Sequence, residues 1–147
     1  MTDTIRKRAV FDTNVFIAAY MARNAKSPTA ELIRRWRNRE FDLLYCDEIV
    51  DEIREKFAEK EVSMEDTDNL IQSLHTRDIK VNVTPSEIAS VIPFDPDDDV
   101  IIACAVKGGA THIVTYDLHF KFLDGQYHGI KIMDGLYFLY EVRGNQV

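Results

Sequence analysis

Helices packed on both faces of a parallel, twisted β-sheet, an α/β fold, are what the sequence predicts, and three observations predict them. Short apolar runs alternate with longer stretches of helical periodicity along the chain. The apolar run ending at Phe11 stops abruptly at an acid, Asp12, and a helical pattern follows at once. Residues that start and stop helices, such as Ser27-Pro28 and Gly108-Gly109, fall between the two kinds of segment. The crossovers joining such strands are expected to be right-handed.

Residues 8–11 read as a short buried strand, and Thr13 to about Ala22 as a helix with Phe16, Ile17, Ala19 and Tyr20 at helical spacing. Ser27 caps a second helix, with Pro28 at its first position. It runs to about Asn38 and aligns Leu32, Ile33 and Trp36 on one face. Phe41 to Tyr45 is a second strand. Asp47 opens a third helix that turns Ile49, Val50, Ile53 and Phe57 inward, with Glu48, Asp51, Glu52 and Glu55 between them. Ser63 caps another helix ending near Leu74, with Asp66 completing an imperfect capping box. Ile79 to Val83 alternates like a strand, and Thr84-Pro85-Ser86-Glu87 starts a short helical turn. Pro93 and Pro96 bracket a loop that delivers Asp97, Asp98 and Asp99. Val100 to Val106 is a buried helix ended by the glycine pair, His112 to Thr115 a strand, Lys131 to Met133 a last strand, and Asp134 to about Tyr140 a closing helix. No repeat, low-complexity segment or linker interrupts this order, so residues 1–147 are expected to form one domain.

Composition narrows the class. Hydrophobic residues make up 46% of the 147, which suits a folded domain rather than a disordered chain. No apolar run reaches the roughly 20 residues of a membrane span. The run after Arg8 is broken by Asp12 and Asn14, so no secretion signal is expected. Cys46 and Cys104 lie in apolar contexts and are expected to be buried free thiols in a cytoplasmic protein. The formal net charge of −7 argues against a broad nonspecific nucleic-acid binder, although an acidic metal site would itself inflate that count.

The acids carry the chemistry. In an open α/β sheet, ligands bind beyond the carboxyl ends of the strands. Asp12 ends the first strand, Asp117 lies just past the 112–115 strand, and Asp98 opens the helix before that strand. Glu52, a turn into its helix, can project over the same edge. Like charges gathered in one place destabilise a fold unless something neutralises them. A hard divalent cation, Mg2+ or Mn2+, matches carboxylate oxygens and water. Each acid also has a simpler reading: Asp12, Asp98, Asp99 or Asp117 as a helix cap, Glu52 as a solvated helical acid, Asn14 as a helix start, Thr115 as a plain strand residue. The histidines at 75, 112, 119 and 128 show no ligand spacing with one another and read as structural or surface groups.

The segments FDTNV at 11–15, DEIVDEI at 47–53, DPDDDVIIACAVKGGATHIVTYD at 95–117 and GIKIMDGLYFL at 129–139 resemble the PIN-domain family, in its branch of toxin components of toxin–antitoxin pairs related to VapC. The 95–117 segment is the most specific part. The resemblance implies a three-layer α/β/α sandwich and an Mg2+- or Mn2+-dependent ribonuclease hydrolysing RNA phosphodiester bonds. Carried over position by position, it makes Asp12, Glu52, Asp98 and Asp117 the metal-binding acids, with Asn14 and Thr115 assisting. The register of the third acid is open among Asp97, Asp98 and Asp99. Tyr116 departs from the small residue usual before the last acid. The resemblance further implies an antitoxin protein partner, received in a groove near the helices at 13–22 and 46–58, and a homodimer. Arg23, Lys26, Arg34 and Lys121 are candidates for holding the RNA backbone.

Two other classes compete. A haloacid-dehalogenase-like phosphotransfer enzyme also begins with a strand-tip Asp, but it needs an acid two residues on, where this chain has Asn14. A non-catalytic interaction module would use the same acids as caps and surface charge.

Overall fold

The protein is described here from a computed structural model covering residues 6–89 and 96–144. Strand β1 (Arg8–Phe11) leads into helices α1 (Thr13–Tyr20) and α2 (Pro28–Arg37), then β2 (Asp42–Tyr45), α3 (Asp47–Glu59), α4 (Met64–Arg77) and β3 (Ile79–Lys80). A 3-10 turn over Pro85–Glu87 precedes α5 (Pro96–Gly108) and β4 (His112–Val114). A second 3-10 segment, Leu118–Leu123, leads to β5 (Gln126–Tyr127), β6 (Ile130–Met133) and α6 (Gly135–Arg143). The strands form one sheet in the order β3-β2-β1-β4-β6-β5. Every neighbouring pair is parallel except the edge pair β5–β6.

Helix starts follow the residues expected to make them. Ser27 Oγ accepts from Ala30 N at 3.3 Å and Ser63 Oγ from Asp66 N at 3.1 Å, each satisfying an amide that the helix leaves without an internal partner. Glu87 accepts from Thr84 N at 2.9 Å, closing the capping box of the first 3-10 turn.

Successive side chains of a strand point to opposite faces, and this separates the core into two halves. Phe11 meets Phe16 of α1, Phe41, and Phe138 of α6 at ring-centroid distances of 5.6, 5.8 and 5.9 Å. Leu44, one residue along from Leu43, lies on the side of α5, which packs on β1, β2 and β4. The helix comes close because its last residue has no side chain: a Cβ on Gly108 would stand 2.8 Å from both Leu44 Cδ1 and Val81 Cγ2. Across the helical layer, Glu31 of α2 accepts from Arg35 Nε and from Arg143 Nε of α6, each at 2.8 Å. These two guanidinium groups hold the Glu31 carboxyl down at about 2.

The element order follows the expected one, with four differences. The 79–83 strand shrinks to Ile79–Lys80, although Val81 N still donates to Tyr45 O at 2.7 Å. α5 begins at Pro96, so Asp97, Asp98 and Asp99 occupy its first turn and not a loop. The expected loop around Pro93 lies outside the described residues. Strand β5 and the 118–123 segment are additions. Among the described residues, no helix is long and apolar enough to cross a membrane.

Candidate active site

β1 lies between β2 and β4 in the sheet, so the chain leaves β1 toward one side and returns to its other side through α5. This reversal opens a crevice at the carboxyl ends of β1 and β4. Asp12 follows β1, and Thr115, Tyr116 and Asp117 follow β4. Asp12 N donates to Val114 O at 3.0 Å, so the sheet ladder itself fixes the backbone of the first acid beside the end of β4.

Asp12 occupies the N-cap position of α1, where the backbone amides of Thr13 and Asn14 help to hold its pKa down. It is buried and also accepts from the Thr115 hydroxyl, with Oγ1 to Oδ2 at 2.8 Å. The same Thr115 oxygen accepts from Asp117 N at 3.0 Å. One threonine thereby ties the acid after β1 to the acid after β4. Asp117 Oδ1 caps the following 3-10 segment by accepting from His119 N at 2.9 Å. That tight turn carries His119 back toward α5, where its Nδ1 stands 3.1 Å from Asp98 Oδ2 and 3.3 Å from Asp117 Oδ1. One ligand-type atom from each of Asp98, Asp117 and His119 lies within 4.8 Å of the others.

Glu52 reaches the same crevice from α3. Burial raises its pKa, and the charges of Asp12 and Asp97 raise it further, while Thr13 and Lys56 pull it down. Burial likewise raises Asp12, against the Thr115 hydrogen bond, with the charge of Asp117 adding to the rise. The carboxyls therefore sense one another, and each makes ionisation of its neighbour more costly. The buried Thr13 hydroxyl lies beside Glu52 and is the hydrogen-bonding group that pulls its pKa down.

The first turn of α5 separates its three aspartates. Asp98 is buried toward His119 and Asp117, Asp97 is exposed and near enough to act on Glu52, and Asp99 is buried along a different groove, with Tyr127 and His128. Asn14 is exposed at the start of α1. Spacing among the histidines does not single out His119, because it gathers not with another histidine but with the carboxylates of Asp117, after β4, and Asp98 of α5. His112 does match the structural reading: it is buried, its Nε2 lies 2.9 Å from Glu141 Oε1, and its ring packs on Phe138.

The α2 arginines are bound up in the fold. Arg34 donates to Ala25 O, Arg35 to Glu31 and Glu40, and Arg37 to the Tyr20 hydroxyl. Arg23, Lys26 and Lys121 are exposed.

Asp98, Asp117 and His119 offer ligand-type atoms within 4.8 Å of one another, and Asp12 senses the charge of Asp117 as Glu52 senses that of Asp12, a donor set that fits a divalent cation with its waters. No curated protein matches the chain. Among solved structures, the fold is shared with a chain of VapBC2 from Rickettsia felis, bound to a DNA fragment from its promoter. That match has 12% identity, covers 86% of this chain and 98% of that one, and has a TM-score of 0.58. It is also shared with a chain of FitAcB from Neisseria gonorrhoeae, with 16% identity, 88% and 99% coverage and a TM-score of 0.55. The PIN domain family model matches residues 8–119, which span β1 through the Asp117–His119 turn, and the chain therefore belongs to the PIN-domain family.

Proposed function

We propose that the protein is an Mg2+- or Mn2+-dependent endoribonuclease, and the toxin of a toxin–antitoxin pair. The observation that carries this reading is the linkage of Asp12, Thr115, Asp117, His119 and Asp98 around one crevice, with Glu52 coupled electrostatically to Asp12. Asp12, Asp98 and Asp117 would hold the cation, and Glu52 would complete the acidic wall. A bound Mg2+ or Mn2+ supplies charge stabilisation to a phosphodiester and acidifies water.

The remaining work falls to the chain. Thr115 fixes one Asp12 oxygen, Oδ2, beside the end of β4. His119 orients Asp98 through Oδ2. Glu52, on α3 and within reach of the charge of Asp12, would orient the attacking water. The exposed Arg23, Lys26 and Lys121 would meet the RNA backbone. Single-stranded RNA suits such a crevice, because its backbone can bend into it. An antitoxin would close the crevice by offering a basic side chain to the acids. The VapBC2 and FitAcB neighbours support a protein partner. A homodimer is part of the same proposal.

The test is RNA cleavage with and without Mn2+, comparing wild type with Asp12→Asn and Asp98→Asn. Mn2+-dependent cleavage that both substitutions reduce at least a hundredfold is expected. Undiminished cleavage by both variants would overturn the assignment of these residues.

A further inference from the structure

A second feature begins where the acids end. A groove of about 520 Å3 opens between the 115–121 segment and the β6–α6 junction. Thr115 and Asp117, both in the acidic linkage, are among its lining residues, so the groove adjoins the acids. Tyr116, Leu118, Phe120, Met133 and Tyr137 supply its apolar and aromatic lining, with Asp134 among them. Tyr116, Tyr137 and Leu118 are 43%, 50% and 68% exposed, a concentration of apolar surface beside a charged site. The exposed Lys121 stands at the rim.

Tyr116 is held there by design of the backbone. Its chain neighbours are Thr115 and Asp117, so the ring springs from backbone held at the site. Its phenol oxygen fits against the start of α6 only because residue 135 is glycine: a Cβ there would stand 2.3 Å from it. The result is an aromatic ring with a fixed tip and an open face, next to the acids.

We propose that this groove is a nucleobase subsite, in which a base of the RNA strand flanking the scissile phosphate stacks on Tyr116 while Lys121 meets an adjoining phosphate. This rests on the ribonuclease reading above. Stacking on an aromatic ring tolerates every base, whereas apolar side chains beside a lysine complement a flat base joined to an anionic backbone. A base is favoured over a protein segment because Lys121 on the lining supplies a cation for the adjoining phosphate, beside exposed rings that can stack on a base.

The test uses single-stranded RNA oligonucleotides of one sequence, each with 2-aminopurine at a different position. Binding is read by fluorescence in Ca2+, which neutralises the acids. Quenching by wild type at one or two adjacent positions is expected. Tyr116→Ala should weaken binding about tenfold and abolish that quenching, Tyr116→Trp should preserve it, and Gly135→Ala, which displaces the ring without removing it, should mimic Tyr116→Ala. Absence of position-dependent quenching, or quenching unchanged in both Tyr116→Ala and Gly135→Ala, overturns the proposal. Loss of a dimer in light scattering with Tyr116→Ala, while quenching is unchanged, overturns it in favour of a protein interface. Cleavage in Mn2+ is scored separately. Quenching without cleavage supports the subsite and refutes the nuclease; cleavage without quenching does the reverse.

Discussion

Replacing Thr115 with valine removes one hydroxyl of nearly constant volume, and the structure fixes what that hydroxyl does. It donates to Asp12 at 2.8 Å and accepts from Asp117 N at 3.0 Å. A hydrogen bond to a charged group contributes about 1.5–3 kcal/mol and a neutral one about 0.5–1.5 kcal/mol. Asp117 N lies at a partly exposed turn where water can replace the lost partner, so most of the cost comes from Asp12, which is buried. A net loss of about 2–3 kcal/mol follows, or roughly 4–12 °C in the unfolding midpoint for a chain of about this size. The Thr115 bond also holds the Asp12 pKa down against burial, so its loss raises the proton affinity of Asp12 further. Stabilisation by Mn2+, followed by circular dichroism across pH, should then begin at higher pH in Thr115→Val than in wild type. Thr115→Ser keeps the hydroxyl and should behave like wild type in both respects. A Thr115→Val protein within about 0.5 kcal/mol of wild type, with an unmoved Mn2+ profile, would refute the role assigned to this residue.

Glu31 is an independent pH probe. Its pKa lies at about 2 in the folded protein, below its unfolded value, so the stability it contributes is present above pH about 4.5 and is lost as pH falls toward 2. Glu31→Gln should flatten that part of the acid unfolding profile, and an unchanged profile would show that the pairing of α2 with α6 is too solvent-screened to matter. Gly108→Ala places a methyl 2.8 Å from Leu44 and Val81 in the packed core, and should cost about 1–3 kcal/mol in urea unfolding; a stabilised variant would show that α5 has room to shift.

The strand, acid and helix junction at Asp12 was legible because apolar run, carboxylate and helical periodicity all change within a few residues. The same held for α2 and α4, whose serine caps are local signals. What escaped was set by contacts distant in sequence. The two-residue β5 has no periodicity of its own and exists because it pairs with β6. The start of α5 at Pro96 places the aspartates on a helix, and only the packing of that helix distinguishes Asp98 from Asp97 and Asp99. His119 joins the acids through a 3-10 turn that its sequence does not announce. Asp12 stands at the N-cap of α1 and accepts from a hydroxyl 103 residues away, Thr115, a contact that no local pattern announces.

The most direct test is a thermal unfolding scan of metal-stripped wild type and Asp12→Asn, each with and without Mn2+. If repulsion among the site acids is relieved by a cation, Asp12→Asn should melt at or above wild type without metal. Mn2+ at about 100 times its dissociation constant should raise the wild-type midpoint by roughly 5–11 °C, corresponding to about 2.7 kcal/mol, and raise that of Asp12→Asn far less. Equal shifts in the two proteins, or no shift in wild type, would contradict the account.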